Sequence, residues 1–506
     1  MKISKILSFL LALLIAAAFA VSCGNQGQDA SVPSAGDVSE DPASADGTSA
    51  PDSESSEEVS RGPLDHLEDM ALNGETVTFL VENGSGSYIP VEIIPNEEKG
   101  AAYAPYVAER NNIVEEKLGC TIVERRTDNM ADELRRAAAS KPDFDIACPY
   151  MTTGAPLIIE GLFYDLYEFS DIINFDAPYW DQNADSDLTL GGKLYMTTGD
   201  FSLLTMDVTH VLIFSKGLVE KYGLESPYEL VEKGEWTMDK MVEMAHQVTF
   251  DDNGEPGLQY TDTIGLLCNN NYANSFYIGS GEKFVAKDKN GVPVLAFEGE
   301  RQTDVTKKIF DIFHDEMILN KENFNAQAIA DGFENCYWAA RDRLANDGAL
   351  FCTTSLEGVF NLSMYDANFG LLITPKYARE QDRYYSYISV IYATGCVIPA
   401  GNEEPEKAAL LLEALNAAST DTVKFNYYER IFKLQKVRDQ EDSDMLDRIF
   451  ASRVYDIGSI FNWGGARDFI MNVARGASFD YVSSLEASRG RMESQIQDTV
   501  DFFSGN

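Results

Sequence analysis

Between Glu75 and Tyr150 the chain reads ETVTFLVENG (75–84), AYAPYVAERNNIVEEKLG (102–119), CTIVERR (120–126), ADELRRAAASK (131–141) and FDIACPY (144–150). The first piece clusters β-branched and aromatic residues and closes on Asn83–Gly84, which predicts a strand running into a loop. The second has helical spacing and a glycine stop at Gly119. The third is a short strand. The fourth is a helix with acids early and bases late, and the fifth is a strand apolar enough to be buried. A β-α-β-α-β order predicts a parallel sheet covered by helices. Ligands on such sheets sit beyond the carboxyl ends of the strands, and here those ends are Asn83–Gly84 and Pro149–Tyr150.

Downstream, VTHVLIFSKGLVEKYGL (208–224) reads as a strand entering a helix and opens a region with its own helices and glycine turns. ANFGLLITPKY (367–377) and SVIYATGCVIPAG (389–401) read as strands returning to the first sheet. PEKAALLLEALNAAS (405–419) is predicted to be an amphipathic helix with Leu411, Leu412 and Leu415 on its apolar face. A sheet that is left and re-entered implies two lobes joined by crossing segments, with a cleft between them. The expected lobes are residues 65–210 with 370–420, and 211–369 with 421–506. A body this long is also too large for one ordinary core.

The amino terminus carries Lys2 and Lys5, then an almost unbroken apolar run from Ile6 to Val21. That length suits the core of an export signal better than a membrane span. Small residues lead to Cys23, in a pattern that resembles the lipobox of bacterial lipoproteins, although Ala20 stands where leucine is commoner. The resemblance implies cleavage after residue 22 and lipidation of Cys23, with two acyl chains giving stable anchoring. A secreted protein with a chance cysteine is the alternative. Residues 24–60 hold nine Asp/Glu, nine Ser and no Lys or Arg. Such composition cannot bury enough apolar surface to offset its ordering entropy, so residues 23–64 are expected to form an acidic, disordered tether. The expected location is the extracellular face of a cell membrane.

The chain's net charge is −42, and with Lys2, Lys5 and the nine acids of the tether set aside, −35 remains on the body. That charge repels phosphate backbones and argues against nucleic acid as a partner. Besides Cys23 there are six cysteines, none in a CxxC or a zinc-ligand spacing. Several lie in apolar runs and read as buried thiols, though disulfides stay open outside the cytosol. The four histidines (His66, His210, His246, His314) are isolated, and GxSxG, HExxH and P-loop patterns do not occur. With so many acidic residues, sequence pairs of carboxylates say nothing about glycoside hydrolysis. No catalytic residue and no cofactor is therefore expected, and a surface glycoside hydrolase is disfavoured.

Three stretches carry a family likeness: GGKLYMTTGDFSLLTMDVTHVLIFSKGLVEKYGLESPYELVEKGEWTMDKM (191–241), NFGLLITPKY (368–377) with CVIPAGNEEPEKAALLLEAL (396–415), and YDIGSIFNWGG (455–465). Together they resemble the bacterial extracellular solute-binding lipoproteins of ABC importers, family 1, of the oligosaccharide-binding type. The resemblance implies an α/β fold: a two-lobed, periplasmic-binding-protein-like clamp of type II, with mostly parallel sheets flanked by helices and a hinge of crossing strands. It further implies a monomer that captures a carbohydrate and delivers it to permease subunits. A peptide or another polar solute is the alternative cargo, and a sensor role the alternative output.

Sugar binding needs aromatic faces against the apolar side of a pyranose and planar polar groups for its hydroxyls. The resemblance implies a stacking aromatic in the carboxyl-terminal segment, where Trp463 stands, a contact near Tyr272, and a cleft-lining position at Glu357. The competing readings are a packing tryptophan, a loop whose Asn269, Asn270 and Asn271 only form turns, and a solvated glutamate. Strand-end geometry adds Tyr150 and Asn83, and position before the first crossing strand adds Asp207. Trp180 is expected to pack under a loop, and Trp236 to pack at a helix entry capped by Thr237. Asp251, Asn253 and Glu255 in FDDNGEPG weakly resemble a calcium loop, but Asp262 stands where glutamate would be required.

Overall fold

β1 (Thr76–Glu82) pairs in parallel with β2 (Thr121–Thr127) on one side and β3 (Ile146–Cys148) on the other. The computed structural model describes residues 62–67, 70–84, 92–96, 103–365, 367–434 and 440–504. All of them fall within one compact unit, Arg61–Asn506. The leader, Cys23 and the expected tether up to residue 61 lie outside the described residues, whereas the tether's expected end is folded, with Leu64 buried in the first core. Helices Ala104–Leu118 and Met130–Ala139 make the two crossovers. Gly119 ends the first at φ 63°, where its N–H reaches Glu115 O. In that left-handed region a Cβ would be strained.

Of the two stretches expected to return to this sheet only the later one does: residues 369–372 stay in the second sheet, paired with 212–215, while the later stretch extends the first. Residues 393–399 run antiparallel beside β3, pairing Ala147 with Val397 and Tyr150 with Thr394, and Thr197 flanks their other side at Cys396. Phe79, Leu80, Val81, Ile146 and Val397 are buried in the first core.

β4 (His210–Ser215) carries the chain into a second sheet. In chain order follow β5 (Ile264–Cys268), the hairpin of β6 (Val285–Lys287) and β7 (Pro293–Leu295), β8 (Leu319–Asn320), β9 (Ala349–Ser355) and β10 (Phe369–Leu372). The sheet order is β10-β4-β9-β5-β8. β9, β5 and β8 are parallel, whereas β4 is antiparallel to both of its neighbours. Every residue of β4 and β5 is buried, so their near-continuous apolar sequence reflects helices on both faces. Trp236 is buried in this second core with its indole N–H on Ile373 O (2.9 Å). The next helix, Met238–Val248, is capped by Thr237, whose hydroxyl accepts the Lys240 N–H (3.2 Å).

Among the described residues, extended segments pass between the cores at three places. Thr209 bridges antiparallel to Ile388 at the first two. At the third, β11 (Ser386–Tyr387) pairs in parallel with β12 (Arg453–Val454). Beyond β12 the chain serves both sides: Tyr455, Ile457, Ile460 and Trp463 join the first core, and Phe469, Ile470, Tyr481 and Met492 the second.

One helix departs from expectation. Pro405–Ser419 is buried on every side from Ala408 to Ser419, not along one stripe. The helix tolerates this because its one buried acid is satisfied. Glu413 accepts hydrogen bonds from the Trp180 indole (2.9 Å) and the Tyr179 hydroxyl and lies 3.1 Å from His66 Nε2. All six described cysteines are buried and free.

Candidate ligand site at the strand ends

At the end of β1, Glu82 reaches sideways to the end of β3. Its carboxylate accepts the Tyr150 N–H (2.9 Å) and the Thr153 hydroxyl (3.1 Å) at the start of helix Met151–Ile158. Burial raises the Glu82 carboxyl above its ordinary range, partly offset by these bonds. Asn83 donates its backbone N–H to Thr127 O (2.9 Å) and its side-chain amide to Asp128 (2.8 Å). The Tyr150 hydroxyl donates to Asn83 O (3.2 Å), and its ring stands edge-on to Tyr392 at 5.9 Å. Two predicted residues, Asn83 and Tyr150, are thus brought together, and each bonds mainly to its own lobe.

The parallel strands of the second sheet end at Asn269–Asn271, Asn320 and Ser355–Glu357. Helix Cys336–Ala345 runs back from these ends toward β9 and is started by Asn335, whose side chain accepts the N–H groups of Tyr337 (3.0 Å) and Trp338 (3.2 Å). Its first turn therefore presents Tyr337 and a half-buried Trp338 beside the strand ends. The Arg341 guanidinium, one turn later, lies over the Trp338 ring at 4.8 Å from the centroid and 3.7 Å from the Glu357 carboxylate. Asn361 donates to the other Glu357 oxygen (2.8 Å). Gly358 makes this approach feasible, since a Cβ there would fall 2.0 Å from the Thr354 hydroxyl oxygen.

Beside this group, Tyr337 donates to Glu322 (2.9 Å) and Asn320 donates to Asn270 (2.8 Å). Lys321 is buried beneath, its ammonium on Thr353 O and 5.8 Å from the Tyr337 ring centroid. Two buried polar atoms in the cluster have no partner, Arg341 Nε and Asn269 Oδ1. Buried polar groups are rarely left so. The second-lobe face therefore combines aromatic rings, a forked donor, a carboxylate and amides.

The other predicted residues take different places. Tyr272 is fully buried, stacked on His210 at 5.2 Å, with its hydroxyl donating to Val211 O and Thr354 O. It seats its helix on β4 and β9. Burial lowers His210 to about 4, leaving it neutral. Trp463 is 4% exposed, stacked on Phe461 at 4.5 Å, with its indole N–H on Thr499 (2.9 Å). Phe461 is half-buried where Trp463 is covered. Asp207 accepts the Tyr427 hydroxyl (2.9 Å) at the first crossing. Trp180 is buried against Glu413.

Residues 251–255 form a turn. Asp251 Oδ1 accepts the N–H groups of Asn253 and Gly254, and Asn253 Oδ1 accepts that of Glu255. Among the described residues no group of three or more metal-ligating side chains assembles.

A groove of about 570 Å³ lies elsewhere, between helices Met238–Val248 and Glu300–Phe313, lined by Val242, His246, Lys308, Ile312 and Tyr377 among others. None of its lining residues belongs to either strand-end cluster, and the strand ends, where ligands of such sheets sit, are the candidate site. Sequence reading passed over Tyr337, Trp338 and Arg341. The available signal was NCYWAAR (335–341), an asparagine cap followed by two aromatics and an arginine three residues after the tryptophan.

No protein-family model matches the chain, and no curated protein matches it. Solved structures do. The maltose-binding periplasmic protein of Listeria monocytogenes, solved with maltose, superposes at a TM-score of 0.52 with 13% identity, covering 84% of this chain and 98% of that one. The acarbose-binding GacH receptor of Streptomyces glaucescens gives 0.48, also at 13% identity, over 85% and 98%. The second likeness is too loose to carry an argument. The first shows the fold: a two-lobed α/β clamp of the periplasmic-binding-protein type, with mostly parallel sheets flanked by helices.

Proposed function

We propose that the chain is the extracellular solute-binding subunit of an ABC importer and that it captures a carbohydrate, an oligosaccharide in preference to a single sugar. The observation that carries this reading is the cluster of Trp338, Arg341, Glu357 and Asn361 at the carboxyl ends of the second sheet, beside the first crossing. An aromatic ring takes the C–H face of a pyranose, while a guanidinium, a carboxylate and an amide address its hydroxyls in one plane. Tyr337 and the Asn269–Asn270 pair extend the face sideways, which suits more than one sugar ring.

Capture follows from the connections. The two lobes, each built around one of the two cores, rotate about the crossings near Thr209, Ile388 and β12. Closure brings Tyr150 and Asn83 over the ligand from the first-lobe side. Asp207 adds an acceptor at the hinge. No bond is made or broken, so the clamp needs no acid–base pair. The likeness to a maltose-binding protein supports the sugar class. The apolar leader and the Cys23 pattern support a lipid-anchored monomer at the outer membrane face, tethered near its permease.

Thermal unfolding against mono- and oligosaccharides, peptides and calcium tests the reading. A ligand at about 100 times its Kd adds roughly 2.7 kcal/mol to folding stability, a shift of a few degrees. A shift confined to one glycan class and lost in Trp338→Ala is the expected result. A shift from peptides with silence from every sugar would sink the carbohydrate assignment and leave the fold standing.

A further inference from the structure

We propose that Cys148 and Cys396 join as a disulfide when the chain folds in an oxidising compartment. The two residues face each other across the antiparallel ladder between β3 and the returning strand. Ala147 and Val397 exchange both backbone hydrogen bonds (3.0 and 2.9 Å), Gly395 N–H donates to Pro149 O (3.0 Å), and Met151 N–H donates to Ala393 O (2.8 Å). Hydrogen-bonded pairs thus fall at 147/397, 149/395 and 151/393. Cys148 and Cys396 form the non-hydrogen-bonded pair between the first two.

In that type of pair the Cα atoms approach to about 4.5 Å and both side chains stand on the same face of the sheet. The separation lies within the range a disulfide spans. The one other pair of cysteines on adjacent described strands does not share this arrangement. On the second sheet Cys352 is opposite Leu267, which sets the neighbouring Cys268 on the other face.

Both thiols are at most 1% exposed, and Cys396 donates to Thr197 O (3.3 Å). Burial pushes both well above the ordinary thiol range, so in the folded chain they are weak nucleophiles. The bond therefore forms during folding, before residues 393–399 are sealed into the sheet. A Cys148 thiolate attacks the disulfide of a thiol oxidant, such as oxidised glutathione or an oxidoreductase, and releases one thiol. Cys396 then displaces the second thiol from the mixed disulfide and forms the Sγ–Sγ bond. The two cysteines lose two electrons and two protons, and the oxidant's disulfide becomes two thiols.

The crosslink has a structural role. It closes a loop that contains most of the second lobe, a constraint that acts on the unfolded chain. It also straps the second crossing segment to β3, two residues before Tyr150 and four residues after Tyr392. The inference depends on export and is independent of the ligand's identity.

Refolding the reduced full chain in a glutathione redox buffer, followed by acid quench, alkylation and peptide mapping without reductant, tests it. The expected product joins the Cys148 and Cys396 peptides and is lighter than their sum by two hydrogen atoms, while Cys120, Cys268, Cys336 and Cys352 carry the label. Dithiothreitol should lower the thermal midpoint of this chain and leave that of Cys148→Ala/Cys396→Ala unmoved. Alkylation of both Cys148 and Cys396 in the refolded chain, or pairing of either with a different cysteine, overturns the proposal. The map uses the unsubstituted chain and so does not depend on the variant's folding.

Discussion

The two strand-end faces use similar residues and spend them differently. On the first-lobe face, Glu82 is bonded to Tyr150 and Thr153, Asn83 to Thr127 and Asp128, and the Tyr150 hydroxyl to Asn83. Few groups remain for a ligand, and the face is held rigid. On the second-lobe face Trp338 and Tyr337 stay accessible, and Arg341 Nε and Asn269 Oδ1 are buried without partners. On the proposed reading the self-bonded first face positions a ligand, and the face with accessible aromatic rings selects it. The proposal therefore puts selection on the second lobe.

The largest test of that contrast concerns a tryptophan away from both faces. Trp463→Ala should cost roughly 3–5 kcal/mol of folding stability, the usual range for a truncated core aromatic, with little change in sugar affinity. Denaturant unfolding beside calorimetric titration separates the two. A chain of unchanged stability that no longer binds would return the platform to Trp463.

A second asymmetry lies in buried carboxylates of the first lobe. Burial lifts Asp185 to about 7, opposed by the hydroxyl of Thr197 and helped by nearby Asp181. Glu92 rises to about 7 for the same first reason. For each, the folded pKa exceeds the unfolded one, so the folded state holds more protons between about pH 4 and pH 7. Their contribution is complete below that window and is lost as pH rises through it. The loss should be on the order of a few kcal/mol, since every tenfold gain in proton affinity on folding is about 1.4 kcal/mol. Thermal midpoints across pH 4 to 8 measure it, and Asp185→Asn should flatten the slope. A slope unchanged in that variant would remove Asp185 from the account.

Trp338→Ala comes next, with an expected loss of about 2–3 kcal/mol in binding, roughly a hundredfold in Kd, and little change in the thermal midpoint of the unliganded chain. The smallest effect falls on the first-lobe face. Tyr150→Phe removes one neutral hydrogen bond, worth about 1 kcal/mol, and should weaken binding by less than tenfold. If Tyr150→Phe proves more damaging to affinity than Trp338→Ala, the roles of the two faces are reversed.

The β-α-β-α-β order from Glu75 to Tyr150 was legible because each element is decided by its own residues: β-branched runs, helical spacing, a glycine at Gly119. The strand-end positions Asn83 and Tyr150 followed from that order. Other outcomes were not local. Residues 405–419 carry a glutamate that reads as a solvent-facing position, and only partners more than two hundred residues away, Tyr179 and Trp180, allow Glu413 to be buried. The choice between tryptophans was of the same kind. Thr499 and Phe461 cover Trp463, whereas the start of helix Cys336–Ala345 leaves Trp338 partly open. Periodicity and turn chemistry act over a few residues, so the sequence by itself determined the elements and their order. Exposure is a property of whatever segment packs on a side chain, so the tertiary structure alone decided which aromatics meet solvent and which cysteines meet each other.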